Sequence, residues 1–359
     1  ASELPRDMRD LAGRYGSKEA AEGLRKRAML GPYRPKCLLS HNRFVKPSGG
    51  LVMVGVCCST DPKDASYLAA VSPDGEAIDY LAIPGGVDMS RGMRDKVVTF
   101  LMQHRPAAVI VGTSAGFFAR RADMKLRDLL DEAVMQWRNR GIQGEDEDDD
   151  AYYERQEKFR KLESLDNDDG DWESCVELMD DTMPQLFGRS VRSKKEFPDH
   201  PVNLRCAISM GRYAIDPLCE TTYAWSVASD AGTFGTEMLF VNIHPVQQLV
   251  PKMMLLRQYE RVLCEVVALV GVDLNRACNY DHLRGMLIFA PGLGPRKAAN
   301  LKQQIAQAGG AIARRRELLE KQLLGPIVYN NAAGFLCIYD DDNTLSENQN
   351  LNTLDETRL

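Results

Sequence analysis

The chain has 359 residues, of which 44% are hydrophobic, and its formal net charge is −6. This length is sufficient for two or three domains that each have a core. No apolar run approaches the ~20 residues of a membrane-spanning helix, so the sequence predicts no such helix. The nine cysteines include no C-x-x-C pair. This usage predicts reduced thiols in a cytosolic or nuclear protein, with neither a zinc site nor any other metal site.

Charge is distributed unevenly along the chain. Residues 145–181 contain 17 acidic and 4 basic residues, whereas residues 252–326 contain 12 basic and 6 acidic residues. The sequence therefore predicts an acidic insert, at 138–170, and a basic module nearer the C-terminus. The acidic insert is either a contact for basic partners such as histone tails or a solvated loop, and the second interpretation is the more usual one.

The first part of the chain is predicted to be an N-terminal helical segment and linker (1–49). It includes a helix near Ser17 that this serine would cap. Residues 50–199 have the pattern of an α/β domain. A buried strand at 51–58 precedes a hairpin of two strands, then a helix, a second buried strand, another helix and a last strand at 172–179. This order predicts a mixed sheet whose first three strands form a meander, not a Rossmann unit.

Residues 200–338 are predicted to form an all-α region that ends in a pair of helix-hairpin-helix motifs (281–338). Residues 339–359 are polar and are predicted to be a flexible linker to a next domain that the chain lacks. The stronger copy of the motif is MLIFAPGLGPRKAANL, in which a helix, a tight glycine turn and a second helix follow one another. The second copy, QLLGPIVYNNAAGFL, has a leucine where the first has a glycine, and a structural role is expected for it.

The first copy carries the predicted nucleic-acid site. Gly292 and Gly294 let the backbone turn and approach a ligand closely. The N–H groups that begin the following helix, together with its dipole, favour a phosphate. Arg296, Lys297 and Lys302 add positive charge on the same helix. A plain packing hairpin between two helices is the alternative.

The acidic residues of the α/β domain decide whether a nuclease function is expected. Two-metal chemistry needs acidic oxygens from several elements around a pair of divalent ions. Cys57 stands near the end of the first strand, where an aspartate would be expected, and a thiol is a poor ligand for Mg²⁺. Asp61 lies in the turn beyond it, and Asp180 and Asp181 follow the last strand. We interpret these four residues as a degenerate site without catalytic activity.

The segment Gly112–Gly116 matches G-x-S-x-G between a strand and a helix, the context of a hydrolase nucleophile. The two histidines that could serve such a triad, His200 and His244, lie in a loop and directly before a proline. Short matches of this kind are frequent by chance, so the pattern does not predict a hydrolase.

Several segments in one order resemble the Suppressor-of-Ty-six family of eukaryotic transcription elongation factors, which is similar to bacterial Tex. They include PYRP, VGVCCSTDPKDASYLAAVSPDGEAIDYLAIPG, AVIVGTSA, ELMDDTMPQLF, GLGPRKAANL and LGPIVYNNAAGFLCI. The resemblance covers about residues 30–338, the central core of that family. It implies a YqgF-type ribonuclease-H-like domain followed by the helical region with its helix-hairpin-helix pair.

The resemblance also implies a function. The implied role is that of a non-catalytic scaffold and histone chaperone in transcription elongation, and the implied localisation is the nucleus. The implied partners are RNA polymerase II, histones and the backbone of DNA or RNA. No cofactor, small-molecule substrate or membrane is implied. The alternative is a metal-dependent, structure-specific nuclease of the resolvase type whose ligands are relocated to Asp61, Asp64, Asp180 and Asp181.

Overall fold

The computed structural model describes residues 6–34, 39–40, 43–44, 51–61, 63–85, 89–140, 153, 156–157, 159, 172–225 and 235–338. Most of the predicted acidic insert and the whole predicted linker at 339–359 lie outside these residues. The chain forms two compact units. The sheet unit is Pro32–Ile215, and the helical unit combines Ala1–Gly31 with Asp216–Leu359. No helix in the described ranges is both long and apolar enough to cross a membrane.

The sheet unit is built from one five-stranded mixed sheet with helices on both faces. Its elements are β1 (Leu39–Ser40), β2 (Arg43–Phe44), β3 (Met53–Cys57), β4 (Ser66–Val71), β5 (Ala77–Ile83), α2 (Arg91–His104), β6 (Ala108–Gly112), α3 (Phe117–Arg138), β7 (Cys175–Met179), α4 (Thr182–Arg189), α5 (Val191–Glu196) and α6 (Val202–Ile215). The strand order is β5-β4-β3-β6-β7. Strand β4 pairs antiparallel with both β3 and β5, and β6 pairs parallel with both β3 and β7. The predicted meander and mixed sheet are confirmed.

Strand β3 is buried on both faces, as its uninterrupted apolar sequence predicts. Val54 and Val56 point into a core formed with α2 and α3, whereas Met53 and Cys57 point toward α6. Gly55 lies on the α6 face, and a Cβ there would approach the Ala207 carbonyl oxygen to 2.0 Å. The missing side chain therefore lets α6 lie directly on the strand.

The helical unit contains short helices around two longer ones. Its elements are α1 (Arg6–Ala28), α7 (Pro217–Tyr223), α8 (Lys252–Val270), β8 (Val272–Asp273), α9 (Leu274–Asn279), α10 (Arg284–Phe289), α11 (Pro295–Gln307), α12 (Glu317–Glu320), α13 (Pro326–Ala332) and β9 (Leu336–Cys337). Short 3-10 turns and a parallel β8–β9 pair complete it. The expected helical region after the sheet, with its hairpin motifs, is confirmed.

The structure differs from the sequence predictions at two places. Ser17 does not cap a helix, because α1 begins at Arg6 and the Ser17 hydroxyl donates to the Arg14 carbonyl inside it. Helix α6 belongs to the sheet unit, although the sequence places residue 200 onward in the helical region. Since almost every residue of α6 is buried, its pattern has no polar face that would indicate its neighbours.

Candidate nucleic-acid interface

The first hairpin connects α10 to α11 through five residues that begin at Ala290. Gly292 and Gly294 have φ values of 88° and 81°, a region that side chains with a Cβ rarely adopt. The Leu293 N–H donates to the Ala290 carbonyl at 3.0 Å, and the Leu293 side chain is buried. The two predicted glycines are thus required by the turn itself, and Leu293 between them anchors the turn to the core.

Gly292 also lies against the second copy of the motif. A Cβ at this position would approach the Cβ of Asn331, on α13, to 2.8 Å. Among the residues that the structure describes, and apart from its own chain neighbours, no heavy atom lies within 4 Å of the corresponding point on Gly294. The first hairpin therefore packs on α13 at Gly292 and leaves Gly294 open to an approaching ligand.

The start of α11 has the features of an anion site. Pro295 occupies the first turn, and the N-cap residue, Gly294, has no side chain with which to cap the helix. The first-turn N–H groups have no partner within the helix and carry its positive dipole end. Arg296 and Lys297 are exposed there. The ammonium of Lys297 donates to the Gly292 carbonyl at 2.9 Å, so Arg296 is the side chain that extends into solvent.

Lys302 lies two turns further along α11 and is engaged within the protein. Its ammonium donates to the Asp281 carboxylate at 2.5 Å. This hydrogen bond is the main reason that the pKa of Asp281 is below its usual value. A phosphate at Lys302 would have to compete with Asp281, which weakens the case for this residue relative to Arg296.

The second hairpin, between α12 and α13, is built differently. Its positive φ value, 54°, falls on Gln322, while Gly325 has a φ of −69° that any residue adopts. Leu324 is buried, as Leu293 is in the first copy. Helix α13 has only seven residues, and Ile327 in its first turn is 79% exposed. These features support a structural role for the second copy.

The carboxylate corner of the sheet unit gathers residues from three elements. Asp181, directly after β7, is only 4% exposed. Its two oxygens accept the Ser114 N–H at 2.9 Å and the Ser114 hydroxyl at 2.6 Å. The Gln185 amide donates to Asp181 at 3.1 Å and lies 3.7 Å from the Cys57 sulfur. Asp181 and Cys57 are therefore brought together, but neutral donors occupy the carboxylate.

The surroundings of this corner raise the pKa of the Cys57 and Cys58 thiols and lower that of Cys206, which hydrogen-bonds Cys57. A hydrogen bond with Cys206, and then burial, raise the pKa of the Cys57 thiol. Burial and the charge of Asp181 raise the pKa of Cys58 to about 12. A neutral thiol is a poor ligand for a hard cation.

Asp61 and Asp180 do not join this buried corner. Asp61 is exposed in the turn after β3 and accepts the Lys63 N–H at 2.9 Å. Asp180 is exposed and accepts the N–H and hydroxyl of Thr182 at 3.2 and 2.6 Å. Among the residues that the structure describes, no group of three or more His, Cys, Asp or Glu side chains is arranged to hold a metal ion.

Ser114 of the G-x-S-x-G pattern lies in a 3-10 turn after β6. Its hydroxyl donates to Asp181 and not to a histidine. His200 stacks on Phe197, and His244 caps a 3-10 turn in the other unit. The hydrolase interpretation therefore has no structural support in the described residues.

Four residues that define these sites were not predicted from the sequence: Ser114 as a partner of Asp181, Gln185, Asn331 and Asp281. Gln185 lies one helical turn after Asp181, so its spacing was a usable signal. The other three are separated from their partners by at least 21 residues, and no local pattern relates them.

Comparison with known proteins agrees with this architecture. The helix-hairpin-helix motif family matches residues 236–339. The transcription elongation factor SPT6 homolog of Arabidopsis thaliana is 26% identical over 95% of this chain and 19% of its own length. Transcription elongation factor spt6 of Aspergillus fumigatus is 28% identical over 98% of the chain and 23% of its own length.

A shorter match is closer in identity. Transcription elongation factor spt6 of Schizosaccharomyces pombe is 31% identical over 51% of the chain and 12% of its own length. The chain thus spans about a fifth of the length of the relatives that it matches almost completely. These matches agree with the resemblance inferred from the sequence: over most of its length the chain is similar to a segment of proteins named SPT6 transcription elongation factors.

Proposed function

We propose that this chain is a non-catalytic scaffold that holds the backbone of a nucleic acid at its first helix-hairpin-helix motif. The observation that carries the proposal is the start of α11. There, an uncapped helix N-terminus, an open Gly294 and the exposed Arg296 and Lys297 lie within one turn. A phosphate accepts from the N–H groups of such a turn and is neutralised by the flanking cations.

The proposed contact is with the phosphate backbone and not with bases. The donors in this hairpin are main-chain N–H groups and cationic side chains, which position a duplex or single strand without reading its sequence. Binding is therefore expected for DNA and RNA alike, with a strong dependence on salt. Lys302 contributes only after it leaves Asp281.

The absence of catalysis is part of the proposal. Asp181 already accepts from Ser114 and Gln185, and Cys57 beside it is a buried thiol. The alternative is a resolvase-type nuclease that uses Asp61, Asp64, Asp180 and Asp181. The exposed positions of Asp61 and Asp180, each bound to its own turn, argue against it.

The cellular role is proposed from the relatives. Proteins named transcription elongation factors match almost the whole chain, so we infer a nuclear role in elongation on chromatin. RNA polymerase II, histones and nucleic acid are the proposed partners, and a histone-chaperone activity belongs to this proposal. No small-molecule substrate or membrane is proposed.

Fluorescence anisotropy with labelled duplex DNA, single-stranded DNA and RNA over a salt series tests the binding site. Arg296→Glu with Lys297→Glu should weaken binding to all three probes and lower the salt slope by about one or two. Lys194→Glu with Lys195→Glu is the matched control, because these are adjacent, exposed lysines on a helix of the sheet unit. Unchanged affinity in the hairpin variant would make the motif purely structural.

Catalysis is tested separately. Branched and single-stranded substrates are incubated with the wild-type protein in Mg²⁺ or Mn²⁺, and no cleavage is expected. Cleavage that Asp181→Ala abolishes would establish the nuclease alternative.

A further inference from the structure

The helical unit has an open groove that none of the residues of the first hairpin lines. It lies between α1 and the start of α8, encloses about 830 Å³, and is lined by nine residues. Glycines bring the two segments together, since a Cβ on Gly16 would lie 3.0 Å from the Val250 side chain and one on Gly13 would lie 3.6 Å from Met254. Because the backbones approach closely, the larger side chains stand on both sides of the contact and form the walls.

The groove has an apolar surface that the described part of the chain leaves uncovered. Leu11, Tyr15 and Met253 are 69%, 68% and 57% exposed, and Pro251 and Met254 lie between them. Contiguous exposed apolar surface of this kind marks an interaction site more often than chance exposure does. Methionine adapts its shape to a partner, and tyrosine is enriched at interfaces.

The rim of the groove has a single sign of charge. Arg14, Lys18 and Arg257 line it, and its remaining polar residue is the neutral Gln258. No aspartate or glutamate is among the lining residues. The three cations take part in no ion pair with the described residues, so they are available to carboxylates from outside.

We propose that this groove binds an acidic peptide segment of a partner protein that carries large apolar side chains. The apolar residues of the peptide would cover Leu11, Tyr15 and Met253, while its carboxylates pair with the rim, where arginine binds them in a bidentate manner. A nucleic acid fits less well, because its phosphates would satisfy the cations but leave the aliphatic surface in water. The proposal is independent of the hairpin site.

The probe is a synthetic, fluorescein-labelled peptide of interspersed Asp, Glu, Leu and Phe, titrated with the whole chain in an anisotropy assay. Arg14→Glu with Arg257→Glu should reduce its affinity at least tenfold. Tyr15→Ala with Met253→Ala should do the same at unchanged charge. The matched control is Lys26→Glu with Arg261→Glu, which reverses two exposed charges on the same helices outside the groove.

Four outcomes would overturn the proposal. They are no binding of the probe, equal weakening by the control variant, equal affinity for a peptide with serine at every Leu and Phe, and displacement of the probe by duplex DNA.

Dimerisation through the groove, seen by light scattering and lost in Tyr15→Ala with Met253→Ala, would assign the groove to a second copy of the chain instead. All six substituted positions are solvent-exposed, and circular dichroism verifies that each variant folds. Nucleic-acid binding by the groove variants should stay at the wild-type level, so failure here is distinguishable from failure of the hairpin site.

Discussion

The Asp181 carboxylate accepts both the main-chain N–H and the hydroxyl of Ser114, at 2.9 and 2.6 Å. The two residues follow the ends of the neighbouring parallel strands β7 and β6, so their contact joins the carboxyl edge of the sheet. A buried carboxylate with satisfied oxygens stabilises the fold. At this edge, the acidic residue that the sequence marks for metal chemistry has a structural partner.

Asp181→Ala should therefore lower the free energy of unfolding by roughly 1–3 kcal/mol, because the Ser114 and Gln185 donors lose a charged acceptor. Urea unfolding measures the loss. Ser114→Ala alone should lower the free energy of unfolding by less than Asp181→Ala does. The double variant should lower it by less than the sum of the two single losses, since the residues share one interaction. Strictly additive effects would contradict the coupling.

The three hairpin glycines should differ in their tolerance of alanine. Gly292→Ala should destabilise the helical unit most, because it combines a φ of 88° with a Cβ 2.8 Å from Asn331. Gly294→Ala should lower the free energy of unfolding by roughly 1–3 kcal/mol from backbone strain alone, because its φ of 81° and ψ of 171° lie in a region essentially restricted to glycine.

Gly325→Ala is the matched control for the hairpin glycines. Its φ is −69° and its surroundings are open, so the unfolding free energy should change by less than about 0.5 kcal/mol. Thermal or urea unfolding of the three variants decides the order. If Gly325→Ala lowered the free energy of unfolding as much as Gly292→Ala does, the second hairpin would have the same requirement for glycine as the first.

Asp281→Asn should raise the affinity for nucleic acid. The substitution removes one negative charge and weakens the hold on Lys302, which then becomes available to a phosphate. The salt slope should steepen by up to about one. The matched variant Asp281→Asn with Lys302→Ala should lose the gain. An equal gain in both variants would mean that Lys302 makes no contact.

The same pair predicts a pH dependence. Lys302 lowers the pKa of Asp281 below its ordinary value, so the unfolded state binds the proton more readily. The resulting stabilisation is present above the ordinary pKa and is lost as the pH falls through the lowered one. Acid titration by NMR of the Asp281 carboxyl measures the shift, and a normal value would contradict the ion pair.

Cys58 should make the sheet unit less stable in base. Burial raises its pKa to about 12, whereas an unfolded thiol ionises near pH ~8.5. Between those values only the unfolded state loses the proton, so the unfolding free energy should fall as pH rises, by roughly 1 kcal/mol at one unit above the unfolded pKa. Urea unfolding at several pH values should show a shallower fall in Cys58→Ala than in the wild type.

The architecture of the sheet unit followed from local pattern. The apolar run at β3, the turn between β4 and β5, and the second buried strand predicted a mixed sheet because burial on two faces removes polar alternation. The glycines at 292 and 294 likewise predicted a tight turn, since left-handed backbone strongly favours residues without a Cβ. The unit to which helix α6 belongs could not be predicted in this way, because the helix is buried on nearly all sides and its sequence is compatible with either unit.

The sequence by itself determined which elements form and where the turns need glycine. Only the tertiary structure decided that Ser114 donates to Asp181, that Lys302 donates to Asp281, and that Asn331 packs against Gly292. The reason is physical: elements depend on the periodicity of neighbouring residues, whereas a side chain's partner depends on distances across the fold between residues that the chain keeps far apart.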